Sequence, residues 1–171
     1  ISRNLQCQVL GNPQTSGDLD FLSWLIDGVV QEDRLCSLAP TMLVAIVDSL
    51  TLQPWGTRKW VDQQLFNPGN GFGNANDLDG CRSYRVERYF RYLIESPAQM
   101  DGMLDLITNQ VPDGNYVLAY TATNGLFQDT SIWSDDLFNA FEAMGASEIR
   151  NVNDSVPYIF FAKKGHPTTV E

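Results

Sequence analysis

The apolar positions of this chain change period several times, and each change marks an element. Cys7-Gln8-Val9-Leu10 is a short β-like run closed by the turn-forming Gly11-Asn12-Pro13. A second run follows at 21–30, in which Phe21, Trp24 and Ile26 share a face only if a bulge intervenes, and Asp27-Gly28 is a hairpin turn or bulge signal. Two strand arms are expected there. The dense run Met42-Leu43-Val44-Ala45-Ile46-Val47, bounded by Pro40 and by Asp48-Ser49, predicts a central strand covered on both faces. It is far shorter than the roughly 20 residues that span a bilayer.

Residues 67–80 read Asn-Pro-Gly-Asn-Gly-Phe-Gly-Asn-Ala-Asn-Asp-Leu-Asp-Gly, which predicts a long surface loop. Tyr84, Val86, Arg88, Phe90, Tyr92 and Ile94 then alternate with more polar neighbours, the period of a strand with one face inward. Ser96-Pro97-Ala98-Gln99 has the form of a capping-box helix start. Met100, Met103, Leu104, Ile107 and Val111 continue at helical spacing until Pro112-Asp113-Gly114. Residues 116–121 predict a strand. Ser134 caps a second helix with Leu137, Phe141 and Met144 inward and Gly145 at its end, and 149–152 and 156–161 predict two more short strands.

This order predicts an α+β fold of antiparallel sheets flanked by two or three helices. At 171 residues the chain suits one compact module, 1–171, with N-terminal strands in 1–35, a core in 36–165 and the long loop at 67–80. A net charge of −10 disfavours nucleic acid and anionic membranes as partners. The start at Ile1-Ser2-Arg3, without an initiator Met, is expected of a processed or excised chain.

Candidate chemistry is sparse. His166 is the one histidine, next to a glycine near the end of the chain, and neither a phosphate-binding glycine loop nor a nucleophile elbow occurs. No enzyme activity and no cofactor are expected. Asp77 and Asp79 give alternate oxygens before Gly80, but an EF-hand frame would place Ala75 and Val86 at ligand positions, leaving only an irregular calcium site to consider. Trp55, Trp60, Phe72, Phe127 and Trp133 lie in or beside loops, where a large ring either anchors the loop in the core or offers a platform to a partner. The three cysteines, Cys7, Cys36 and Cys81, lack zinc-site spacing and permit at most one internal bridge.

Four segments in order, Met100-Asp101-Gly102-Met103-Leu104-Asp105-Leu106-Ile107, Val111-Pro112-Asp113-Gly114-Asn115-Tyr116-Val117-Leu118-Ala119, Leu137-Phe138-Asn139-Ala140-Phe141-Glu142-Ala143-Met144-Gly145-Ala146 and Tyr158-Ile159-Phe160-Phe161-Ala162-Lys163-Lys164-Gly165, resemble the interleukin-like EMT inducer (GG-type) domain family. The similarity reaches back more weakly to Cys36 and the run at 43–48. A looser likeness is to modules of long cell-surface or type IX-secreted proteins of Bacteroidetes, some of which carry peptidase domains. The resemblance implies a GG-like α+β fold, an extracytoplasmic place, secreted or at the cell surface, and a non-catalytic binding or interaction role within a larger protein. The partner it implies is a glycan or another protein. The alternative is a structural accessory domain of a secreted peptidase-like or secretion-system protein. The glycan site so implied would have Asn124, Asp154 and Tyr158 nearby and Trp133 as platform. The family's Arg-Asp-x-Trp aligns with Ser155-Val156-Pro157-Tyr158, so its arginine and tryptophan are absent. The family's first disulfide would match Cys7 with Cys36, with Cys36 to Cys81 as the competing pair.

Overall fold

In the computed structural model, residues 4–9, 22–32, 40–56, 89–122, 130–152, 157–166 and 169–171 are described. The run of seven apolar and β-branched residues at Thr41–Val47 forms β4, and every residue of it is buried. A strand can be apolar at consecutive positions only if both of its faces are covered. Here Met42, Val44 and Ile46 face one hydrophobic cluster, while Leu43, Ala45 and Val47 face another. Each of these side chains other than Ala45 is worth about 1.5–3 kcal/mol when taken out of water, which makes β4 the wall that both clusters share.

Ahead of it, β1 (Leu5–Val9), β2 (Leu22–Ile26) and β3 (Val29–Glu32) form a three-stranded antiparallel sheet in the order β1-β2-β3. The expected turn is present, with Asp27 and Gly28 both at positive φ (52° and 78°). The bulge lies between Trp24 and Leu25, where the β2-β3 register shifts. The larger sheet is also antiparallel, in the order β5-β4-β6-β7-β8, with β5 at Phe90–Leu93, β6 at Tyr116–Ala122, β7 at Ile159–Lys163 and β8 at Thr169–Val170. One face of this sheet carries the helices and the other carries the small sheet, so the architecture is an α+β fold of three layers.

The helical layer begins at α1 (Pro97–Asp105), where Ser96 Oγ accepts from the Gln99 N–H at 3.4 Å. Gln99 does not complete the box as expected. Its Oε1 instead accepts from the Leu93 N–H at 2.6 Å, because the Ser96 N–H is already bonded to the Leu93 carbonyl. The helix then widens into a π-helical turn at Leu106–Gln110, closed by Val111 N–H on the Leu106 carbonyl at 3.0 Å. This widening turns Leu106, Ile107 and Val111 inward together and leaves Leu104 only partly covered. Lys164, entering from the end of β7, donates from Nζ to the carbonyls of Ile107, Thr108 and Val111 at 2.7, 3.1 and 2.6 Å.

In α2 (Asp135–Ala143), Ser134 Oγ accepts from Leu137 N–H at 3.2 Å, and Asp135 and Asp136 stand in the first turn, where the helix dipole favours them. Leu137, Phe141 and Met144 are buried as their spacing predicts, and Phe141 meets Phe160 edge-on at 5.6 Å. Gly145 ends the helix at φ 102°. The strand expected at 149–152 is instead a 3-10 turn at Ile149–Asn151. Ile149 and Val152 both enter the core while Arg150 and Asn151 stay exposed, a three-residue spacing that a strand cannot provide. Arg150 is thereby free to bridge Asp135 and Glu142 and to lie 4.7 Å above the Phe138 ring. The last long strand, expected over 156–161, runs from Ile159 to Lys163.

Candidate functional site

The two sheets meet closely on one side and part on the other. Near β4, Trp24 and Ile26 of the small sheet pack on Leu43, Ala45, Leu118 and Tyr120, all buried. Toward β1 and β7 the same layer thins. Leu5, Cys7 and Val9 from β1, and Tyr116, Ile159 and Phe161 from the large sheet, are only partly buried. Between them lies an open cleft of about 920 Å³, near the upper end of the roughly 300–1,000 Å³ typical of ligand pockets.

Its floor is the outer face of β6 and β7, where Tyr116 and Phe161 stack at 5.6 Å and 6° as a diagonal cross-strand pair. Its roof is β1, whose side chains Leu5 and Cys7 point down while Gln6 and Gln8 are exposed. Val47, Leu52 and Val170 extend the apolar wall, and Asn4, Gln6 and Glu171 bring polar groups to the lining. Lys163 places its ammonium 5.6 Å from the centre of the Tyr116 ring.

The wall at β8 is held by Glu171. Its carboxylate accepts from Ser147 N–H and Oγ–H at 2.7 and 2.8 Å, from Glu148 N–H at 3.1 Å and from the Tyr158 hydroxyl at 2.6 Å. Burial works against ionisation of Glu171, but these four donor groups outweigh it and hold the carboxyl below its ordinary value. Burial, and then the Glu171 carboxylate, push the Tyr158 hydroxyl upward. Next to this anchor, Thr169 packs directly on the backbone of Gly145.

Of the sequence-derived glycan-site residues, Trp133 and Tyr158 are described, and both are buried. Trp133 is 5% exposed and sits in the core beside Phe138 at 5.4 Å, so it offers no free face. It anchors its segment because a ring of that size removes more apolar surface from water than any alternative nearby. Tyr158 is 6% exposed and its hydroxyl is committed to Glu171. Asn124 and Asp154 lie outside the described residues, as do Asp77 and Asp79 of the calcium candidate. Among the described residues, no group of three or more His, Cys, Asp or Glu side chains could hold a metal ion.

Among the described residues Cys7 is a free thiol; Cys36 and Cys81, with which the family resemblance frames a bridge, lie outside the described residues. Burial pushes the Cys7 thiol up to about 12, so it is protonated at neutral pH and behaves as a small apolar side chain. His166 is exposed in the turn after β7, its N–H bonded to the Lys163 carbonyl.

The cleft was not legible as a site in the sequence, since its apolar strand residues read as ordinary core. The available signal was β1 itself, an uncharged strand with Gln at both exposed positions. Among the described residues, no helix is long and apolar enough to cross a membrane. Set against models of known protein families and against curated proteins, the chain matches none.

Proposed function

We propose that this chain is a non-catalytic binding module whose ligand enters the cleft between the two sheets through an apolar surface. One observation carries this reading: a concavity of about 920 Å³ whose floor and roof are half-buried apolar side chains. Surface left in that state gains when a partner removes it from water, at roughly 25 cal/mol per Å². The protonated Cys7 and the fully engaged Glu171 provide neither a nucleophile nor a general base there, which favours binding over turnover. An extracytoplasmic place within a larger secreted or cell-surface protein accords with the GG-type motifs. A glycan ligand draws no support from Trp133 or Tyr158, and the apolar lining favours a different partner.

The test is saturable binding of a neutral apolar dye, N-phenyl-1-naphthylamine, followed by fluorescence. One-to-one binding is expected, and Leu5→Trp or Ile159→Trp, at half-buried positions of the lining, should abolish it while leaving the far-ultraviolet circular dichroism unchanged. Dye binding that persists in both filled variants would refute the assignment.

A further inference from the structure

The roof of the cleft is also an open sheet edge. In the order β1-β2-β3, only one side of β1 is paired among the described residues. The Asp27 N–H bonds the Asn4 carbonyl at 2.8 Å, so Asn4 is turned toward β2. By the alternation of an antiparallel ladder, Gln6 and Gln8 also turn their backbone groups toward β2, and Leu5, Cys7 and Val9 turn theirs outward. Those same three residues direct their side chains toward the large sheet, and Leu5 and Cys7 line the cleft. A strand laid along the outer edge would therefore bond to Leu5, Cys7 and Val9, and its residues directly opposite them would place their side chains on the cleft side.

Edges of this kind are normally blunted by charge, proline or shortness. The two edges of the large sheet follow that rule, since β5 carries Arg91 and β8 has two residues. β1, Leu-Gln-Cys-Gln-Val, has five residues, no charge and no proline. An unprotected edge standing over an unfilled apolar cavity is the arrangement that strand-adding peptide sites use, in which main-chain bonds supply affinity and alternate pockets supply selectivity.

Resting on the cleft as the binding site, we propose that the ligand is an extended peptide segment of a partner protein, added antiparallel or parallel to β1, with apolar side chains at alternate positions in the cleft. The intervening residues lie beside the exposed Gln6 and Gln8. Against a chain of net charge −10 they are basic or neutral and not acidic.

A display selection on the full chain tests this, using ten-residue peptides with Val, Ile, Leu or Phe at every second position, and a second library of the same composition with the apolar residues at helical spacing. Enrichment is expected from the alternating library alone, with basic residues favoured between. N-methylation of the recovered peptide at alternate residues of one parity should weaken binding about tenfold or more, and at the other parity should leave it unchanged. Cys7→Pro removes an outward N–H that no described residue uses, so it should keep the fold, read by circular dichroism, while weakening the peptide by a similar factor. Gln8→Pro, which breaks the β1-β2 ladder, should unfold the small sheet. Absence of enrichment, or enriched peptides indifferent to N-methylation and to Cys7→Pro, overturns strand addition. Dye binding without peptide binding does so too, while leaving the cleft as a ligand pocket. Loss of dye binding in the parent protein overturns the cleft reading itself. A concentration-dependent dimer that Cys7→Pro dissolves would assign the edge to a second copy and overturn the proposal.

Discussion

Replacing Lys164 by methionine isolates the contact that ties the irregular end of α1 to the large sheet. A helix end leaves carbonyls without partners, and the π-helical turn at Leu106–Gln110 together with its C-cap Val111 presents three of them to one ammonium, at 2.6–3.1 Å. Methionine keeps the length and the apolar stem but removes all three donors. A hydrogen bond to a charged group is worth about 1.5–3 kcal/mol. Three bonds sharing one partly exposed ammonium do not add, so the expected loss is about 2–4 kcal/mol. For a chain of this size that corresponds to a fall in Tm of about 5–12 °C. Urea titrations should show a lower midpoint with an unchanged slope, since the folded surface is not otherwise altered. Lys163→Met is the matched control. Its ammonium lies over the Tyr116 ring at 5.6 Å, which is worth about 1 kcal/mol or less. If the two variants lose the same stability, or if Lys164→Met stays within about 0.5 kcal/mol of the parent, then Lys164 does not hold the turn and the argument fails.

Further expectations concern the β8 wall, the half-buried thiol and the core. Gly145→Ala puts a methyl group into Thr169 at a residue with φ 102°, and should cost roughly 1–3 kcal/mol in urea unfolding; a neutral result would mean that β8 is not seated on Gly145. Because the Glu171 carboxyl is held below its ordinary value of 4.5, its contribution is present above that pH and is lost as pH falls through the lower folded value. Glu171→Gln should therefore flatten part of the decline in stability below pH 4.5, and parallel pH profiles would contradict the assignment. Cys7, with its thiol pushed up to about 12, should resist iodoacetamide at pH 8 in the folded state and react on unfolding, as read by peptide mass spectrometry. Phe141→Ala, which removes the ring set against Phe160 at 5.6 Å, should destabilise by about 3–5 kcal/mol in the same titrations.

The legible parts of this fold are those in which a local signal and a tertiary requirement coincide. Ser134 announces α2 because the same hydroxyl that disfavours a helix interior satisfies an orphan N–H at its start. The run at 41–47 announces a strand covered twice because both faces are in fact buried. The turn at Ile149–Asn151 was misread because isoleucine and valine favour strands locally, while burial of Ile149 and Val152 together decided for a tight turn. Trp133 followed the same logic, a ring beside a loop that the core claimed. The cleft was illegible because a half-filled space between sheets is a property of how Leu5, Tyr116 and Phe161 are spaced in three dimensions, and their residue types would equally suit a closed core.

Because β4 contributes alternate residues to two separate clusters, the two sides of the molecule can be loosened independently by neighbouring substitutions on one strand. Shortening Leu43 or Val47 should release the small sheet first, so that a protease nicks 4–32 while the helical half stays intact. Shortening Val44 or Ile46 should instead strip the helices from the sheet, and with them the wall that Glu171 fastens. A single seven-residue segment thus sets the sequence in which the layers come apart, and the order of the fragments on a gel reads out which side of β4 was weakened.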